Sequence, residues 1–279
     1  MVAAPASTSN ARLIVIAAFA AAILVIVGAV GLGVVLAIVN SAHQRAAAAT
    51  PKPSPGAPAR GLITPTTPIS AETGRVVFTE DFHDSQSGWD IVSGSADADY
   101  AFAGGAYVAV AKAGFYYFEP SPYSEPKQQL SVRATATLDV HTPPDAGFGS
   151  DCVRGSGSTQ VRYEFTAAAD SSWYVQRVEG PDSDMNVPTT LKHGSLGSAP
   201  APGVIPVTLV AVCATMADGL TTRLALFVDG AKVADLTDTV PATSHEGWLA
   251  DLITAGSDSR PVTLTVTRFD ERDLSRSGP

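Results

Sequence analysis

The 279-residue chain is poor in the residues that most often carry chemistry, with two cysteines, three methionines and five histidines. Two cysteines and scattered histidines have none of the spacing that a zinc site needs. Charged residues make up 16% of the chain, and 18 basic residues face 27 acidic ones for a net charge of −9. With no basic excess there is nothing to neutralise a phosphate backbone, so a nucleic-acid partner is not expected. There is no G-x-S-x-G elbow, no H-E-x-x-H, no P-loop and no dinucleotide fingerprint. Acid is absent from residues 1–70, whose only charges are Arg12, Arg45, Lys52 and Arg60. The remainder carries 14 basic and 27 acidic residues, a net of −13. What the chain does have is apolar material, 45% of its residues, which is too much for a disordered polymer.

Part of that material is one run. From Leu13 to Val39 stand 27 residues drawn only from Ala, Val, Ile, Leu, Phe and Gly. At about 1.5 Å per residue a helix of that length reaches about 40 Å, enough to cross a bilayer core of about 30 Å. A bilayer interior cannot satisfy loose backbone groups, so the run is expected to be helical. It is about twice the length of a cleavable signal core, which favours an uncleaved signal anchor. Charge counts on the two flanks leave the orientation open. The 12-residue tail before it is too short for a domain, and the two cysteines lie after it. Both features place residues 1–12 in the cytoplasm and the C-terminal part outside, in an extracytoplasmic and oxidising space. Residues 40–74 then read as a linker: six prolines fall between Pro51 and Pro68 among Ser, Thr, Ala and Gly, a composition that favours extended polyproline II.

Residues 75–279 alternate. Leu130, Val132, Ala134, Ala136, Leu138 and Val140 fall on one face, with Ser131, Arg133, Thr135, Thr137 and Asp139 on the other. That period of two marks a strand covering a core on one side. Similar runs recur at 75–82, 106–110, 115–119, 148–154, 160–166, 173–178, 204–213, 223–228, 232–236, 248–253 and 262–269. Asp229-Gly230 lies between two of them, as a two-residue hairpin turn requires. About a dozen short strands with Pro and Gly in the gaps give an all-β, two-sheet antiparallel sandwich of jelly-roll type. Cys152 and Cys213 each sit in such a run. They form either a bridge across the sandwich or two buried thiols, and the bridge is the expectation.

Several segments resemble bacterial concanavalin A-like or laminin G-like jelly-roll domains of secreted and membrane-anchored proteins. They are Phe78-Thr79-Glu80-Asp81-Phe82 followed by Ser87-Gly88-Trp89, then Tyr100 with Gly104-Gly105-Ala106-Tyr107. After them come Gly149-Ser150-Asp151-Cys152-Val153-Arg154, Ala211-Val212-Cys213 and Leu224-Ala225-Leu226-Phe227-Val228-Asp229-Gly230, and last Asp238 to Gly247. The resemblance spans residues 77–270 and implies a fold and a location. It leaves function open, since the scaffold hosts lectins, glycosidases and protein-binding modules.

Glucanases of that superfamily place carboxylates on alternate residues of one strand. No such run is present, and the clusters at 80–84, 97–99, 182–184 and 270–273 read as turn acids, so catalysis is not expected. Asp182-Ser183-Asp184-Met185-Asn186 has the opening rhythm of a calcium loop but lacks its Gly and its closing Glu. Some laminin G-like domains hold calcium with loop carboxylates, and the resemblance makes Asp97, Asp99, Asp182 and Asp184 the calcium candidates here. No other cofactor is implied. Phe115-Tyr116-Tyr117-Phe118 puts aromatics on both faces of one strand, with Tyr123 after it. Tyr116, Phe118 and Tyr123 are the candidates for stacking on a sugar, set against simple burial of the same rings. The sequence therefore reads as a single-pass, membrane-anchored, non-catalytic module for glycan or another envelope protein. The alternatives are a glycan hydrolase or a structural envelope component.

Overall fold

The computed structural model of the chain describes residues 68–114, 116–156, 159–180, 187–197, 205–239, 247–257 and 260–275. The tail, the apolar run 13–39 and the linker up to residue 67 lie outside the described residues, as do Phe115, Asp182 and Asp184.

Every regular element among the described residues is a strand. In chain order they are β1 (Arg75–Glu80), β2 (Ala98–Ala103), β3 (Ala106–Ala111), β4 (Tyr116–Pro120), β5 (Gln129–Leu138), β6 (Gly147–Arg154) and β7 (Val161–Ala168). They continue with β8 (Ser172–Glu179), β9 (Thr189–Ser195), β10 (Val207–Thr215), β11 (Thr221–Val228), β12 (Ala231–Thr239), β13 (Leu249–Ala255) and β14 (Val262–Asp273). An eight-stranded sheet runs β12-β11-β10-β5-β14-β3-β2, with β1 on the far half of β14. A six-stranded sheet runs β4-β13-β6-β7-β8-β9. All pairings are antiparallel, so the fold is a two-sheet antiparallel sandwich, consistent with a jelly roll.

The alternation in β5 does what its period requires. Leu130, Val132, Ala134, Ala136 and Leu138 are buried between the sheets. The strand ends there, and Val140, which continues the pattern on paper, is 59% exposed. Long β14 serves two partners on one side because a register shift between Val266 and Arg268 turns it: residues 262–266 pair with β3, and residues 269–273 with β1. The β11–β12 hairpin turns at Asp229 and Gly230, with φ of 49° and 78°. Both central residues are left-handed, the geometry whose twist matches the flanking strands. Strands β2 and β9 carry no apolar alternation that marks them in the sequence. Strand β9, TTLKHGS, is polar and mostly exposed at the sheet edge.

Between the sheets lies one core. Trp89, Trp173 and Trp248 are all buried in it. Phe82, Trp89, Tyr107 and Phe269 form a chain of rings 5.0–5.5 Å apart. Cys152 of β6 is joined to Cys213 of β10 across this core, Cα to Cα 6.4 Å, tying one sheet to the other. A loop of this length, 61 residues apart in sequence, is worth about 4 kcal/mol in the chain-entropy model. Asp238 of β12 makes a second tie, accepting the Tyr163 hydroxyl at 2.9 Å and Arg177 Nη1 at 2.8 Å from the opposite sheet. A separate apolar cluster sits on the outer side of the eight-stranded sheet: Val210, Val212, Ala214, Ala225 and Phe227, with Ile69, Ala71 and Leu274 on top. Residues 69–71, assigned to the linker by composition, thus pack on the domain. Glu72 beside them is ion-paired with Arg133 and Arg272.

Candidate functional site

The outer side of the six-stranded sheet is built differently. On β6 the core takes Phe148 and Cys152, which turns Gly147, Gly149 and Asp151 outwards. A Cβ on Gly149 would strike the carbonyl of Phe165, and one on Gly147 the carbonyl of Ala167. Neighbouring β7 approaches too closely there for any side chain, so the face is floored by bare backbone. Ala255 and Ala168 keep the flanking positions small. Tyr116 of β4 and Tyr174 of β8 rise on either side. Together with Asp145, Thr166 and Gln176 they line a cleft of about 230 Å³. Tyr116 is 40% exposed and Phe118 rests beside it, ring centres 5.2 Å apart. His193 of edge strand β9 stacks on Tyr174 at 6.1 Å, planes 24° apart.

Beside the cleft, charges are gathered across strands. Asp251 of β13 is opposite Asp151 of β6, and Asp151 is opposite Glu164 of β7. All three are buried, and so is Arg162, 6% exposed. Arg162 Nε lies 2.7 Å from Asp151 Oδ2 and its Nη2 lies 3.5 Å from Asp251 Oδ2. The Phe118 ring covers the guanidinium, its centre 3.7 Å from Cζ. The backbone N–H of Asp251 donates to Asp151 Oδ1 at 3.0 Å. Burial and the neighbouring Asp251 push the Asp151 carboxyl well above its ordinary range, while Arg162 pulls it back. Burial, then the charges of Glu164 and Asp151, raise the Tyr116 phenol above its usual value, with Thr166 opposing through a hydrogen bond.

Of the three aromatic candidates, Tyr116 and Phe118 share this face. Tyr117 between them turns inwards against Tyr100, ring centres 4.6 Å apart. Tyr123 stands elsewhere: it stacks on Phe78 at 5.8 Å, lies under Lys127 Nζ at 4.5 Å, and lines a cleft of about 570 Å³ with Arg75, Gln129 and Asp273. Asp99 is the second residue of β2, where it is ion-paired with Lys112 and accepts the Gly94 N–H at 2.6 Å. The Asp97 carbonyl accepts from Lys112 N at 2.8 Å. Asp182 and Asp184 lie outside the described residues. Among the described residues no group of three or more His, Cys, Asp or Glu side chains is gathered to hold a metal ion.

The carboxylates do not alternate along one strand: Asp151, Glu164 and Asp251 come together across three. One signal for them was available. Asp is depleted in strands, yet it stands mid-strand in both β6 and β13, and β7 sets Arg162 and Glu164 two apart in an otherwise buried run. Tyr174 and Gln176 carried no such mark.

Two further carboxyls are buried on the core side. Glu119 of β4 accepts the Asp90 N–H at 3.1 Å and faces Tyr107, and burial pushes it up to about 8. Glu271 of β14 accepts the Ser121 hydroxyl at 2.5 Å, and burial pushes it up to about 7.

No protein-family model matches the chain, and no curated protein does. Among solved structures it is similar to alginate lyase Aly36B, 8% identical with a TM-score of 0.49, over 71% of this chain and 96% of that one. It is also similar to alginate lyase vAL-1 from Chlorella virus, 12% identical with a TM-score of 0.47, over 71% and 100%. A third similarity is to the carbohydrate recognition domain of Emp47p, 10% identical with a TM-score of 0.45, over 74% and 99%.

Proposed function

We propose that the chain is a glycan-binding module, and that the cleft between Tyr116 and Tyr174 is where the sugar lies. The observation that carries this reading is the cleft itself: the phenol rings of Tyr116 and Tyr174 border a floor of Gly147, Ala168 and Ala255, with the Gln176 side chain, whose Nε2 also donates to the Thr190 hydroxyl at 3.3 Å, bringing an amide to its edge. Rings supply the flat apolar contact that a sugar face needs, and the amide supplies hydrogen bonds. In this reading the buried charges beside the cleft are a support. Asp151 and Asp251 are held by Arg162 and roofed by Phe118, an arrangement suited to holding a shape rather than to proton transfer to a substrate. The chain is accordingly read as a binding protein and not an enzyme, needing no cofactor.

The same proposal places residues 13–39 across the cell membrane, with the sandwich on the extracytoplasmic side facing glycan or envelope proteins. The one exception to the absence of a cofactor is calcium, proposed at Asp97, Asp99, Asp182 or Asp184, and titration of the purified chain with calcium tests it.

A glycan array probed with the full chain in detergent micelles, beside its Tyr116→Ala variant, tests the main reading. Binding by the parent chain that the variant loses supports it, and no binding by either protein removes it. A reducing-sugar assay on any bound polysaccharide tests the hydrolase alternative.

A further inference from the structure

Charge around the cleft is one-sided. Among the described residues that line it, Asp145 is the one charged side chain, exposed at the rim, and none is basic. Arg162, the nearby cation, is not available to a ligand. Two carboxylates hold it at 2.7 and 3.5 Å, the Phe118 ring covers it, and it is buried. Beneath the same face Asp151, Glu164 and Asp251 stand as register neighbours on three adjacent strands. His193 reaches the cleft only by stacking behind Tyr174.

A sugar acid entering this cleft would leave water without meeting a cation among the described lining residues, and would do so beside the exposed Asp145 carboxylate. A neutral sugar meets no such penalty, and an amino sugar brings an ammonium group that Asp145 can pair with. We infer that the cleft takes neutral or amino-bearing sugar chains and excludes polyuronates. The inference rests on the glycan reading above and narrows it to a chemical class.

Calorimetric titration tests it, using the full chain in detergent micelles at pH 7.5. The probes are cello-oligosaccharides, partly deacetylated chito-oligosaccharides and oligomers of mannuronate and guluronate, each at low and at high salt. The expected result is binding of a neutral or amino-bearing oligomer, with uronate oligomers at least about tenfold weaker at low salt and the gap narrowing at high salt. Replacing one negative by one positive charge about 6 Å from a sugar carboxylate is worth about tenfold in water. Asp145→Lys, in an exposed turn, therefore brings the uronate oligomers up about tenfold at low salt, with Asp145→Asn giving about half that effect on a logarithmic scale. Uronate oligomers that bind the parent chain as tightly as neutral ones overturn the inference while leaving the glycan reading in place. An unchanged uronate affinity in both Asp145 variants also overturns it. Failure of every probe to bind removes the glycan reading and the inference together.

Discussion

On the eight-stranded sheet the outward side chains of β10 and β11 include Val210, Val212, Ala214, Ala225 and Phe227, and the chain covers them with Ile69, Ala71 and Leu274. On the six-stranded sheet the outward residues include Gly149, Asp151, Glu164, Arg162 and Tyr174, and a cleft remains open above part of them. Both sheets present the same apolar surface to the shared core, so the core does not explain the difference. An apolar outer face stays in water only if something covers it, and here a segment from before the first strand does so. A face of charges and phenols needs no cover, but each buried charge needs a partner, and Arg162 supplies it. One face is closed by the chain's own residues, and among the described residues the other keeps a cleft uncovered.

The sharpest way to break that contrast is to remove the partner. Arg162→Met leaves Asp151, Glu164 and Asp251 uncompensated, and a loss of about 3–5 kcal/mol in urea unfolding is expected. A loss under about 1 kcal/mol would mean that the charges do not depend on Arg162.

Two carboxyls on the core side, where burial outweighs any partner, supply the next test. Glu119 and Glu271 are pushed up to about 8 and about 7 by burial. Between the unfolded value near 4.5 and those folded values the native state holds protons that the unfolded chain has released, so stability falls as pH rises through this window. The thermal midpoint is expected to drop from pH 5 to pH 8.5, by the equivalent of about 6 kcal/mol for the two groups together. Glu119→Gln keeps an acceptor for the Asp90 N–H and should flatten most of the slope. An unchanged slope would place the titration elsewhere.

On the covered face, Ile69→Ala trims the lid, and a loss of about 2 kcal/mol in chemical unfolding is expected. No loss would show that residues 69–71 rest on the sheet without holding to it. The smallest effect on stability belongs to the open face. Tyr174→Ala should change the unfolding free energy by less than about 1 kcal/mol while weakening glycan binding about tenfold, read by the same calorimetry. A large stability loss with unchanged binding would reverse the roles given to the two faces.

Much of the sandwich was legible in advance. Strand β5, the Asp229-Gly230 hairpin and the sharing of one face by Tyr116 and Phe118 each follow from period two or from turn chemistry, which are local. Strand β9 was not legible, because an edge strand with both sides wet has no reason to alternate. The site was legible only in half. Tyr116 and Phe118 are adjacent alternates on one strand, whereas Tyr174, Asp145 and the row of three carboxylates come from separate strands and loops.

By itself the sequence determined the alternating strands such as β5, since alternation fixes which side chains share a face whatever the neighbours are. Which strands neighbour one another was decided only in three dimensions. Pairing β13 with β6 and β6 with β7 brought Asp251, Asp151 and Glu164 side by side, and the close approach of β7 carbonyls to Gly147 and Gly149 leaves no room for a side chain beside the two tyrosines. The physical reason is that strand order and sheet curvature follow from the packing of all fourteen strands at once, and no single segment carries that information.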